Sequence, residues 1–529
     1  MVVYVRNTLS RAYIHKEIKR PPCRKVYMQL EEASIAELQA AMDSGRLTAR
    51  QLTEDYIERI QQFDQQGPHL RSVLEINPEA LEIADALDEE RRNMGPRGPL
   101  HGIPILLKDN IATADQMETT AGSLALLGSR PRRDATVAHK LREAGAILLG
   151  KTNLSEWANF RSDASSSGWS GRGGQTRNPY VLNRTPCGSS SGSGTAIAAN
   201  LAAAALGTET DGSILCPSAV SCLVGIKPTV DLTSRAGVVP IAHSQDTVGP
   251  MARTVADAAA LLSAITGPDE LDPASHENPH PGAIDYTKFL DDNGLKGARI
   301  GVARDVYFGY SARADAIIEE AIEQLRSLGA EIIDPTNIPT ARQMSESQSE
   351  MIVLLHEFKA DLNSYLADLE SSPVRSLEEI IAFNKAHAAK ELPYFGQELL
   401  LRAQETVGLD APTYLHALEE NHRFSRQEGI DAIMEQHNLD ALIMPTGAPA
   451  WCIDVIDGDH PLGGSSQPAA LAGYPAITVP AGFVFELPVG LTFMGRAYSE
   501  ATLIRLAYAF EQGTHARRAP KYLDTIEVK

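Results

Sequence analysis

The chain has 529 residues, 43% of them hydrophobic and 22% charged, which is ordinary globular composition and excludes a disordered polymer. Its formal net charge of −20 opposes phosphate backbones and anionic lipid, so neither nucleic acid nor a membrane surface is expected as a partner. No apolar run reaches the roughly 18 residues that span a bilayer.

Residues 1–27 carry seven basic side chains against Glu17 alone, a local excess of positive charge opposite in sign to the rest of the chain. They read as a basic extension or a misassigned start. With no apolar h-region they are not a secretory signal. Five cysteines (Cys23, Cys187, Cys216, Cys222, Cys452) make no CxxC pair and no zinc-ligand spacing with histidine. That set predicts free thiols and a reducing compartment, so a soluble cytoplasmic enzyme is expected.

From Met28 the pattern turns helical, with apolar residues at Leu30, Ile35 and Leu38, then Leu52, Tyr56, Ile57 and Ile60. Ser34 and Thr48 stand where N-caps belong. A second helix is expected near Pro78–Met94. The short burst Ile103–Leu107 suits a buried strand, Ala135–Ala144 a helix and Ala146–Leu149 another strand. This alternation predicts a layered α/β architecture.

Between Arg161 and Gly194 the chain is rich in Ser, Gly, Arg and Asn, a long loop of the kind that usually carries function. A helix is expected over Thr195–Leu206. Residues 311–439 read as mainly helical, with Val353–Leu355, Ile380–Phe383 and Leu399–Leu401 as packing faces. Strands return at Ala441–Met444, Ala476–Val479 and Val489–Phe493, before a helix at Glu500–Glu511. Length alone suggests two to four domains.

Three segments carry chemistry. The first, Gly102-Ile-Pro-Ile-Leu-Leu-Lys108-Asp109-Asn110, puts a lysine at the tip of an apolar strand. Alone it reads as a surface lysine at a strand exit; buried, it would lose its proton readily. A fall in pKa from ~10.4 to ~7.5 corresponds to about 4 kcal/mol, and makes a neutral base.

The second segment, Thr185-Pro-Cys-Gly-Ser189-Ser190-Ser191-Gly192-Ser193-Gly194, reads alone as a solvated linker or a glycine-rich helix entry. It lacks the spacing of a phosphate-binding loop. Its literal GxSxG match at Ser190 has no strand of the expected kind before it. The third, Gly207-Thr-Glu-Thr-Asp-Gly212-Ser213, places glycine before serine where backbone N–H groups can converge. A tight turn explains the glycine there but not the polar residues beside it.

Together these segments resemble the amidase signature family. Lys108 matches its lysine in GxPxxxKD, Ser189 the serine of GGSSGGS, and Ser213 the nucleophile of GTDTGGS. The flanking text Thr119-Thr-Ala-Gly-Ser123, Gly150-Lys-Thr-Asn153, Gly225-Ile-Lys-Pro228, Asp246-Thr-Val-Gly-Pro250 and Ala472-Gly-Tyr-Pro-Ala-Ile also agrees. The similarity runs from about residue 31 to 523, so one domain over 28–529 replaces the multi-domain expectation.

The resemblance implies a large mixed sheet covered on both faces by helices. It implies an amide hydrolase with a Ser-Ser-Lys triad of Lys108, Ser189 and Ser213, and a cis peptide at Gly188–Ser189. The oxyanion hole would be made by the backbone N–H groups of Thr210, Asp211, Gly212 and Ser213. No cofactor or metal is implied, and the partner is a small-molecule or short peptide amide.

The chain departs from the general pattern at Cys187, Ser191, Glu209, Asp211 and Leu215, and these departures resemble the peptide amidase branch. Asp211 puts a carboxyl beside a hole meant for negative charge, so its side chain is expected to point away. Other readings are a tRNA-dependent amidotransferase A-type subunit, an aryl amide, carbamate or ester hydrolase with the same triad, and a non-catalytic scaffold. An esterase using Ser190 with one of the 14 histidines is a further alternative. Trp451, Tyr307 and Phe308 are candidate pocket residues or plain packing. The sequence leaves oligomeric state open.

Overall fold

The apolar run before Lys108 forms a strand in the computed structural model, which describes residues 30–279 and 282–526. The basic segment 1–27 lies outside those residues. Among the described residues thirteen strands follow in chain order. They are β1 (Val73–Ile76), β2 (Pro104–Lys108), β3 (Ile147–Thr152), β4 (Trp169–Ser170), β5 (Gly174–Gln175), β6 (Ala204–Glu209) and β7 (Val224–Lys227). After them come β8 (Thr247–Ala252), β9 (Arg299–Val302), β10 (Glu331–Ile333), β11 (Ala441–Pro445), β12 (Ala476–Val484) and β13 (Leu487–Met494).

Eleven strands join one sheet in the order β1-β3-β2-β6-β8-β7-β12-β13-β11-β9-β10, while β4 and β5 form a small hairpin. The sheet is mixed: β3, β2 and β6 run parallel, as do β11, β9 and β10, and the strands between pair antiparallel. Every residue of β2, β3, β6, β8, β11 and β13 is buried. Side chains alternate between faces along a strand, so both faces of the central sheet are covered. Among the described residues no helix is long and apolar enough to cross a membrane.

Local chemistry sets several boundaries where the sequence placed them. Ser34 and Thr48 cap their helices through reciprocal capping boxes with Glu37 and Gln51. The helices Ala80–Met94, Thr136–Glu143 and Glu500–Thr514 stand close to their expected spans.

Two expectations need correction. The predicted helix Thr195–Leu206 is split: a helix spans Ser191–Ala198, Asn200 turns at φ 59°, and β6 follows. Asparagine tolerates the left-handed conformation that ends a helix. Its side chain is held by Glu32, accepting from the backbone N–H at 2.8 Å and donating to Oε1 at 2.9 Å. Beyond it, Ala204–Leu206 slot between β2 and β8, where alanine is small enough to be enclosed. Burial on both sides overrides alanine's helical preference.

The region 311–439 is mainly helical, but it also contributes β10, a short edge strand beside β9. Leu354, Leu355, Ile380, Ile381, Leu399 and Leu400 pack with Trp157, Phe160 and Phe358 in a secondary core, as packing faces should.

Candidate active site

Lys108 ends β2, and Thr208 lies near the end of its parallel neighbour β6. The carboxyl ends of adjacent parallel strands are where open α/β sheets usually place a site. Lys108 is fully buried; its Nζ donates to Ser189 Oγ at 2.7 Å, Thr208 Oγ1 at 2.8 Å and Thr208 O at 3.2 Å. Ser189 Oγ donates to Ser213 Oγ at 3.0 Å. The three residues, 81 and 24 positions apart along the chain, thus form one unbroken hydrogen-bonded line.

Burial drives the Lys108 ammonium down to about 7, even though Asp246 and Glu209 pull the other way. Loss of water around the charge outweighs two nearby carboxyls. The peptide Gly188–Ser189 is cis, as the resemblance implies. Ser190, which carries the literal GxSxG match, has its hydroxyl bonded to the β6 backbone. Its Oγ donates to Thr208 O at 3.1 Å and accepts the Thr208 N–H at 3.2 Å.

The turn from β6 into the helix Leu215–Val220 explains one of the departures, Glu209. Glu209 folds forward, and one carboxylate oxygen accepts the N–H groups of Ile214 at 2.6 Å and Leu215 at 2.9 Å. A carboxylate there complements the positive end of the helix. Gly212 sits at φ +74°, and a Cβ there would meet Ser466 Oγ at 2.9 Å. Thr210 Oγ1 donates to Asp246 Oδ1 at 2.5 Å, while Asp246 Oδ2 accepts from the Ile241 and Ala242 backbone. No hydrogen bond within the described chain takes the N–H of Asp211, Gly212 or Ser213.

A cavity of about 490 Å³ opens beside Gly188 and Gly212, walled by residues 159–167 and 446–466. Trp451 lines it; Tyr307 is buried in a side core, and Phe308 packs against that core. The Trp451 indole donates to Asp459 Oδ1 at 3.1 Å, and Asp459 Oδ2 accepts from Ser167 Oγ at 2.5 Å. This joins the two walls. Sequence reasoning missed Thr208, Asp459 and Ser167; only Thr208 stood in a recognised motif.

The same wall overturns the free-thiol expectation, because Cys187 and Cys216 form a disulfide. Their 29-residue separation hid the pair, which exists because the Ser189 and Ser213 segments meet. Cys222 and Cys452 remain free. Closing a loop of that size corresponds to about 3–4 kcal/mol of chain entropy in the unfolded state. Cys187→Ala/Cys216→Ala is therefore expected to lower the denaturation midpoint. Alkylation of denatured, unreduced protein should leave those two sulfurs unmodified, and labelling of both would show the bond is not formed.

The family model described as "Amidase" matches residues 51–504. This chain belongs to the amidase signature family. The amidase is 44% identical to a probable amidase of Arabidopsis thaliana over 504 residues, covering 93% of this chain and 92% of the relative. It also superposes on the peptide amidase of Stenotrophomonas maltophilia with a TM-score of 0.89 at 53% identity, covering 93% and 99% of the two chains. A Myxococcus xanthus protein, named as the A-type component of a glutamyl-tRNA(Gln) amidotransferase, is 36% identical over 92% and 98%. The amidase is an amide hydrolase of peptide amidase-like structure.

Proposed function

We propose that the amidase removes ammonia from C-terminal carboxamides of short peptides or N-acyl amino acid amides, through an acyl-enzyme on Ser213. The observation that carries this reading is the Lys108–Ser189–Ser213 line at 2.7 and 3.0 Å. When Lys108 is charged, its N–H groups point along that line toward Ser213. Once neutral, it keeps two N–H groups for Thr208 and offers a lone pair to the Ser189 hydroxyl. The direction of donation then reverses.

Ser213 passes its proton to Ser189, and Ser189 passes its own to Lys108, as Ser213 Oγ attacks the carbonyl carbon. The oxyanion faces the N–H groups of Thr210, Asp211, Gly212 and Ser213. Lys108 returns a proton through Ser189 to the departing nitrogen, so the C–N bond breaks to release ammonia. Water then enters, gives a proton to the same relay and cleaves the ester. The acid product forms in a cavity lined by Asp163, Asp211 and Asp459, with no Lys, Arg or His among its described lining residues. A new carboxylate finds no cation there, which favours its release.

The substrate assignment draws on the peptide amidase neighbours and on leaving-group size. An NH₂ group needs little room, so the cavity is left to bind the acyl side. A capped peptide amide is expected to lose only its terminal amide when products are followed by mass. Internal cleavage, or cleavage of anilides alone, would move the substrate class.

We read residues 28–529 as one catalytic domain, supported by strands from residue 73 to residue 494 in one sheet. The cytoplasmic placement loses its cysteine argument to the disulfide, which fits an oxidising compartment better.

A further inference from the structure

Two carboxyl groups meet directly behind the nucleophile turn. Asp211 lies within electrostatic reach of Ser466 and of Glu350, which stands on the helix Ser349–Asp368 and is tied to the turn by Gln245, whose Nε2 donates to Thr210 O at 3.4 Å and to Glu350 Oε1 at 3.1 Å. Asp211 Oδ1 is buried and receives no N–H or hydroxyl donor from the described chain. Glu350 is clamped from both sides, accepting from Gln245 Nε2 at 3.1 Å and Gln467 Nε2 at 2.9 Å. The amides hold Glu350 against Asp211, and two ionised carboxylates in such contact repel strongly.

Among the described residues no cation resolves the contact. Lys227 is the charged group that acts on Asp211, but its Nζ donates to the carbonyls of Pro228 and Tyr474. Glu209 also faces the pair and is turned onto Ile214 and Leu215. Tyr307 faces Asp211 from the chain after β9, as a phenol that burial keeps protonated.

We infer that Glu350 is a positioning residue that shares one proton with Asp211, so that only a single negative charge resides on the pair behind the oxyanion hole. This rests on reading the Ser213 turn as that hole. It answers the question Asp211 poses in the sequence: a carboxyl tolerated there because its partner keeps it from ionising independently. Burial raises both groups well above the ordinary carboxylate range, so the pair holds its proton as pH rises and gives it up as the solution becomes alkaline. A second charge then builds up beside the developing oxyanion and opposes it.

The test is a mutant cycle read on kcat/KM against pH. Glu350→Gln removes the partner that shares the proton, so the pair's single charge then rests wholly on Asp211, next to the turn, instead of being shared with Glu350 behind it. It is expected to lose at least ~10-fold in kcat/KM at pH 7.5, a modest fraction of what one oxyanion donor is worth. Adding Asp211→Asn to Glu350→Gln makes the pair neutral and should recover most of that loss, and neither variant should show the alkaline decline of the wild type. Infrared difference spectra of wild type against the double variant should contain a protonated-carboxyl band that titrates with that decline.

A merely structural Glu350 would give a double variant no better than Glu350→Gln and an unchanged alkaline limb, and either result overturns the proposal. Should Glu350→Gln fail to fold, the infrared comparison of wild type with Asp211→Asn decides, since absence of a titrating band refutes the shared proton. Fluorophosphonate labelling of wild-type Ser213 tests the underlying triad separately, so its failure is distinguishable from failure of the carboxyl pair.

Discussion

Ser213→Ala is expected to abolish turnover, by a factor on the order of 10⁴–10⁶, while leaving the protein folded. The lost atom is the proposed nucleophile, and its side-chain partner is Ser189 Oγ. Losing one such hydrogen bond costs about 1 kcal/mol. The Ser213 carbonyl still accepts the Ser190 N–H at 3.1 Å, so the turn keeps its backbone tie. Mass spectrometry after a fluorophosphonate should find one adduct, on Ser213. An adduct on Ser190 would sink the assignment, and the existing bonds of Ser190 to Thr208 already argue against it.

Lys108→Arg should be nearly as damaging as Lys108→Ala, each costing about 10²–10⁴-fold, the usual worth of a general base. Arginine remains charged at any workable pH and cannot take a proton from Ser189. The wild-type profile follows from the lysine pKa of about 7. Below it Lys108 is an ammonium and cannot serve as base; kcat/KM should therefore rise with pH through about 7 and then level, before the alkaline decline proposed for the Asp211–Glu350 pair. A flat acid limb in wild type, or substantial activity in Lys108→Arg, would contradict the role.

Much of the site could be read from the chain because its chemistry sits in short local patterns. An apolar strand ending in lysine, and a glycine next to serine, survive as text whatever surrounds them. What stayed hidden depends on distant residues. Ala204–Leu206 has the composition of a helix and becomes a strand only because β2 and β8 enclose it. The Cys187–Cys216 bond follows from the meeting of the two serine segments, which no cysteine spacing encodes. Glu350 lies 139 positions beyond Asp211, and nothing near either residue hints at the other. The role of Glu209 was within reach, since a carboxylate a few residues before a helix start is a recognised cap position.

The cavity wall draws on two distant stretches of the chain. Lys108, Ser189, Thr208 and Ser213 fall within one continuous span, whereas a large part of the cavity wall comes from residues 446–466. That later segment follows β11 and meets the earlier one through Asp459 and Ser167. Substitutions after β11 can therefore reshape one side of the cavity without touching the Lys108–Ser189–Ser213 line.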